Sequence, residues 1–170
     1  MLFRSYKGFQ ELNKLLKLER ELPKMIGVQA EGCSPIAKAF AQGDTQVVAE
    51  ENPKTIAGGI GDGLYGYAGD GTYTLNIIRE SGGFCIDVSD EEISVAQKEL
   101  AVNEGVFVEP SAATSLAALK KSFTSSDMKD KSVLLLLTGH GLKESNDGDI
   151  ENKVPVIPNN VEALKSLLND

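Results

Sequence analysis

Thr138-Gly139-His140-Gly141-Leu142-Lys143 sets a hydroxyl, an imidazole and an amine around two glycines, directly after the apolar run Ser132-Val133-Leu134-Leu135-Leu136-Leu137. The run reads as a buried parallel strand, and a polar loop at the carboxyl end of such a strand is where open α/β sheets bind ligands. Gly139 and Gly141 let the backbone come close to a bound molecule, and Thr138 supplies a hydroxyl at the strand tip. Glu109-Pro110-Ser111-Ala112-Ala113 offers a carboxylate between a short apolar strand at 106–108 and the start of a helix, at the same sheet edge as Thr138. The small residues that follow would let the helix N-terminus approach a flat ligand. Helix capping with close helix–sheet packing accounts for the same letters equally well.

Other chemical groups carry less. His140 is the single histidine, so any imidazole-based acid–base scheme must use it. Its flanking glycines and the lack of a Ser or Cys nucleophile motif favour a structural role. Gly61-Asp62-Gly63-Leu64-Tyr65-Gly66 spells G-x-G-x-x-G, but no strand leads into it and no helix opens within it, so a dinucleotide site is not expected. A surface or active-site loop is, and Tyr65, Tyr67 and Tyr73 are placed to close over a ligand. Asp90, Glu91 and Glu92 are explained by helix capping and the helix dipole and are expected to be solvated. Cys33 and Cys85 have no CxxC spacing; they are expected to be reduced thiols in or near the core, with no metal site and no disulfide framework.

The elements that must position these groups follow from periodicity. The 170-residue chain has a net charge of -8 and is 41% hydrophobic, with a mean hydropathy of -0.14, which fits one globular domain rather than disorder. Its acidity excludes electrostatic capture of nucleic acid or an anionic membrane surface. The longest apolar run is far short of the roughly 20 residues a spanning helix needs. The first residues lack a signal-peptide core, so cytoplasm is the expected compartment.

The spacing predicts an amphipathic helix over 2–22 ended by Pro23, a strand over 25–30, and a short helix over 35–40 opened by Ser34 and Pro35. A second short helix is expected over 53–57, then a glycine-rich loop over 58–71 and a helix over 72–80 that stops at Ser81-Gly82-Gly83. A strand at 84–88 precedes a helix over 90–103 with a Ser89/Glu92 capping box and Gly105 beyond its end. Helix 111–123, strand 132–137, an acidic segment 144–153, an extended stretch 154–158 and a terminal helix 160–168 capped by Asn159 or Asn160 complete the chain. Alternating strands and helices indicate a three-layer α/β sandwich with a mostly parallel sheet and no internal repeat.

Further motifs occur in one order: Tyr6-Lys7-Gly8-Phe9, Gly27-Val28-Gln29-Ala30-Glu31-Gly32-Cys33-Ser34-Pro35, Thr55-Ile56-Ala57, Ile78-Arg79-Glu80-Ser81-Gly82-Gly83 and Val156-Ile157-Pro158. With the Glu109 and Thr138 motifs they make nearly the whole chain resemble the C-terminal half of threonine synthase, a fold type II enzyme dependent on pyridoxal 5′-phosphate (PLP). The resemblance implies a PLP-dependent carbon–oxygen lyase that converts O-phospho-L-homoserine and water to L-threonine and phosphate. It also implies that Thr138 hydrogen-bonds the pyridine nitrogen of PLP, with Gly139 beside it. Gly32 and Cys33, with Glu31 and Ser34, would lie on a loop next to the ring, and Glu109 with Pro110 would line the site from the neighbouring strand.

The same resemblance implies what the sequence does not carry. The Schiff-base lysine and the loop that cradles the PLP phosphate belong to the N-terminal half of the family, which is absent here, so no catalytic lysine is assigned. Lys143 is nearest by sequence but holds a different family position. The chain is therefore expected to be a single α/β unit over 1–170, inactive alone, and to pair with a separate N-terminal half or to self-associate. Its substrate is expected to be a small amino acid. Residues 61–71 depart from the family pattern, which leaves open a relative of cysteate synthase acting on O-phosphoserine, or a non-catalytic module of the same fold.

Overall fold

The computed structural model describes residues 2–123, 131–143 and 157–168. Two strands, β1 (Ile26–Ala30) and β2 (Phe84–Val88), pair in parallel with Ile26 opposite Phe84 and Ala30 opposite Val88. Side chains alternate along a strand, so Val28, Ala30, Ile86 and Val88 share one face. There they meet Ile93, Ala96 and Leu100 of α4 (Asp90–Glu104) and Ala112, Ala113 and Ala117 of α5 (Pro110–Ser122). The alanines of α5 let the two helices approach each other and the sheet closely. Truncating fully buried Ile93 to Ala would cost about 2–5 kcal/mol.

The opposite face turns on Gly27. A Cβ there would stand 2.6 Å from Cδ1 of Ile78, so the missing side chain is what lets α3 (Ala68–Glu80) lie on the strand. Beside α3, α2 (Pro35–Gln42) contributes Ala39 to a second core with Leu75 and Val47. The result is three layers around a parallel sheet, as the sequence predicts.

Local details depart from the sequence in instructive ways. α1 (Leu2–Leu16) stops six residues short of the expected 22, because the side chain of Asn13 captures the chain beyond it. Its Oδ1 accepts from the N–H of Arg20 at 3.2 Å, and its Nδ2 donates to the carbonyl of Arg20 at 3.0 Å. The short helix expected over 53–57 is not formed; a 3-10 turn lies just beyond it at Gly58–Ile60. α3 begins at Ala68, four residues earlier than its glycines suggest, because Gly71 packs against Leu64 and Val47 where a Cβ would find Leu64 Cδ1 at 2.5 Å. Ser34 does not cap α2 with its side chain. Gln29 reaches over from β1 instead, its Oε1 accepting from the N–H groups of Ile36 and Ala37 at 2.8 and 3.0 Å.

The largest correction concerns residues 132–137. They join no ladder, and Val133, Leu134, Leu136 and Leu137 are exposed, Leu134 to 74%. A run apolar on both faces forms a strand only between neighbours. Near the run the described residues provide only an isolated antiparallel bridge, Val108 with His140, just past it. The expected strand 106–108 shrinks to the same bridge. The acidic segment 144–153 and the first residues of the extended stretch, 154–156, lie outside the described residues. α6 (Val161–Leu168) is capped by Asn160, whose Oδ1 accepts from the N–H of Ala163 at 2.8 Å.

Candidate functional site

Glu109 and the 138–143 loop form one built cluster. Glu109 is the N-cap of α5, and its carbonyl accepts from the N–H groups of Ala112 and Ala113 at 3.0 and 3.1 Å. Its own N–H donates to the carbonyl of Gly139 at 3.0 Å, and the N–H of Gly141 donates to the carbonyl of Phe107 at 3.1 Å. The two segments are therefore in contact, but through an isolated antiparallel bridge and not at the sheet edge expected for them, since the described sheet holds only β1 and β2.

The Glu109 side chain is not used for capping. It is only 6% exposed and lies against the bare Cα of Gly139, where a Cβ would come within 2.0 Å of its carboxylate carbon. Lys143, in the 3-10 turn Gly141–Lys143, places Nζ 3.2 Å from Glu109 Oε2. Gly141 has an equally firm requirement, since a Cβ would stand 2.5 Å from the Phe107 ring. His140 sits edge-on to that ring and accepts the N–H of Leu142 on Nδ1 at 3.1 Å. Its place is structural, as its glycine neighbours indicate. Thr138 is exposed at the head of this loop.

Gly32 and Cys33 are linked to the cluster through residues 54–60. A Cβ on Gly32 would stand 1.8 Å from the carbonyl oxygen of Lys54, and the N–H of Lys54 donates to the carbonyl of Gly32 at 2.9 Å. At its other end the segment brings Gly59 over α5, where a Cβ would lie 2.8 Å from Ser111 Oγ and 3.7 Å from Glu109 Oε1. Between the two, Thr55 Oγ1 donates to Asp90 Oδ1 and the N–H of Ile56 donates to Asp90 Oδ2 at 3.2 Å. Asp90 is thus an anchor for the segment rather than a solvated carboxylate, a role its place in an acidic capping sequence concealed. Glu91 is exposed as expected, whereas Glu92 is half-buried in the capping box.

Cys33 is fully buried, and burial together with the carboxylates of Glu50 and Asp62 pushes its thiol above the usual range. Both effects favour the neutral thiol. Ser111 Oγ is buried without a hydrogen-bond partner among the described residues, a signal that local sequence does not carry. The expected tyrosine cover divides. Tyr67 donates its hydroxyl to Asp62 and Tyr65 is exposed on the same loop, whereas Tyr73 packs on Phe3 of α1. The G-x-G-x-x-G stretch follows a 3-10 turn and ends before α3 begins, which is not a dinucleotide-binding context. Two clefts among the described residues run along α1 and share no residue with the Glu109 cluster. No described helix is long and apolar enough to cross a membrane.

The threonine synthase of Methanosarcina acetivorans is 41% identical over 165 residues, 96% of this chain and 40% of that protein. The threonine synthase of Methanocaldococcus jannaschii is 38% identical over 97% of this chain and 40% of its own length. The chain thus spans about 40% of the length of these curated relatives. Among solved structures, serine racemase from Dictyostelium discoideum is similar over 68% of this chain and 34% of that one, with 27% identity and a TM-score of 0.51. The fold is that of part of a fold type II enzyme. Residues 5–139, from within α1 to the glycine that rests on Glu109, match the family described as pyridoxal-phosphate dependent enzyme, and the chain belongs to that family.

Proposed function

We propose that this chain supplies the C-terminal part of a threonine synthase-like PLP-dependent lyase, which converts O-phospho-L-homoserine and water to L-threonine and phosphate once an N-terminal half completes it. The observation that carries the reading is the alignment of threonine synthases over 96–97% of the chain at 38–41% identity. In this reading the lysine that binds the cofactor covalently and the phosphate-cradling loop lie in the other half, and residues 1–170 act as one α/β unit. Its surroundings would be the cytoplasm.

The residues present suit the cofactor. An exposed hydroxyl on Thr138 stands next to Gly139, two glycine surfaces at Gly59 and Gly139 flank Glu109, and buried Ser111 Oγ has no partner among the described residues. When bound, PLP draws electrons from the substrate carbon skeleton. Thr138 would donate to or accept from the pyridine nitrogen. Being neutral, its hydroxyl does not hold a proton there as a carboxylate would, which moderates the withdrawal of electrons. Glu109 fills the space beside Gly139 and backs the loop, Gly139 would lie beside Thr138 at the ring, and Gly32 with Cys33 would border it from the β1 side.

The test joins the chain to its N-terminal half and measures phosphate and threonine formation from O-phospho-L-homoserine, with O-phosphoserine in parallel. Release of threonine and phosphate from O-phospho-L-homoserine alone is expected. Turnover of O-phosphoserine alone would replace the proposal with the cysteate synthase-like reading, and binding of PLP without turnover of either substrate would favour a non-catalytic module.

A further inference from the structure

We propose that Lys143 is a positioning residue for the Thr138 loop and acts through the buried carboxylate of Glu109. The inference rests on the reading of Thr138 as a cofactor-facing group and extends it to the pair that would hold that group in place.

Glu109 grips both ends of the loop. Its backbone N–H binds the carbonyl of Gly139 at 3.0 Å, and its carboxylate meets Lys143 Nζ at 3.2 Å. Between these ends the loop is tied by the N–H of Gly141 to Phe107 and by the N–H of Lys143 to the carbonyl of His140 at 3.0 Å. The carboxylate is 8% exposed and the lysine 67%. A carboxylate drawn that far from water needs a countercharge, and it receives no capping hydrogen bond from α5. Lys143 is the one cation within ion-pair distance of it among the described residues.

The arrangement is directional. The carboxylate fills the space that a side chain at residue 139 would take, one residue from Thr138. With the lysine in place, it stays under Gly139 and fixes the height of the loop. Without it, the charge is better solvated by swinging out, and the loop is left with two backbone hydrogen bonds to 107–109.

The experiment has two arms. Amide hydrogen exchange at Glu109 and Gly141, whose N–H groups tie the loop down, is read in the full chain. PLP affinity is read by absorbance titration of the enzyme completed with its N-terminal half. Lys143→Met is expected to speed exchange at both amides and to weaken PLP binding, each by about tenfold. Lys143→Arg, which keeps the charge, should stay within about twofold of wild type. In a Glu109→Gln background, Lys143→Met should have no further effect, because the charge it answers is gone. Unchanged exchange and affinity in Lys143→Met, with the α4 amides as folding controls, would overturn the proposal. Failure of the completed wild-type enzyme to take up PLP would count against the functional reading instead, and the exchange arm would still decide whether Lys143 holds the loop.

Discussion

The carboxylate of Glu109 rests on the Cα of Gly139: a Cβ at that position would lie 2.0 Å from Glu109 Cδ and 2.0 Å from its Oε1. Gly139→Ala must therefore drive a buried charge off its seat, at a cost of about 1–3 kcal/mol. Gly8 is the control, because it lies inside α1 with nothing within 4 Å of a built Cβ. Gly8→Ala should stabilise by about 0.5–1 kcal/mol through helix propensity. Urea denaturation of the two variants gives both numbers, and a Gly139→Ala chain as stable as wild type would contradict the packing described.

The α4 capping box predicts a pH-dependent contribution. The N–H of Ser89 donates to Glu92 Oε2 at 2.8 Å, and that bond, aided by Lys121, holds the Glu92 carboxyl below its ordinary range despite a smaller opposing effect of burial. A pKa lower in the folded state gives stability that is present above the unfolded-state value. It is lost as pH falls through the folded-state value. Ser89→Ala should cost about 1 kcal/mol at neutral pH. Glu92→Gln should flatten the acid limb of the stability profile, as followed by circular dichroism in urea from pH 7 down to pH 3 or so.

Both thiols should be inert in the folded chain. Burial pushes Cys85 up to about 12, and it raises Cys33 as well. For Cys85 this leaves about one thiolate in ten thousand at pH 8. Iodoacetamide followed by mass spectrometry should label both cysteines readily in urea and far more slowly without it. Rapid native labelling of Cys33 would contradict its burial.

The strongly punctuated parts of the fold were legible in the sequence. Ser89, Glu92 and Gly105 bracket α4 to within a residue, because capping residues act locally. β1 and β2 were equally clear, since each is a short apolar run bounded by glycine or a helix start. The Glu109 and Thr138 segments meet as expected, but not at the edge of a parallel sheet: an isolated antiparallel bridge, Val108 with His140, joins them. What escaped depended on distant partners. Gln29 caps a helix from a strand, and Asp90 anchors a segment some 35 residues earlier. Residues 132–137 have the composition of a strand without the neighbours that would pair it. The grip of Lys143 on Glu109 joins residues 34 positions apart, and local pattern does not register such pairs.

The central claim is that this chain provides the Thr138 side of a PLP site, and absorbance titration of PLP into the enzyme completed by its N-terminal half tests it most directly. Wild type should bind saturably. Thr138→Val, which removes the hydroxyl and keeps the shape, should shift the bound cofactor's spectrum and weaken binding by about tenfold, while Thr138→Ser should restore both. A Thr138→Val enzyme whose bound-cofactor spectrum and affinity match wild type would contradict the claim.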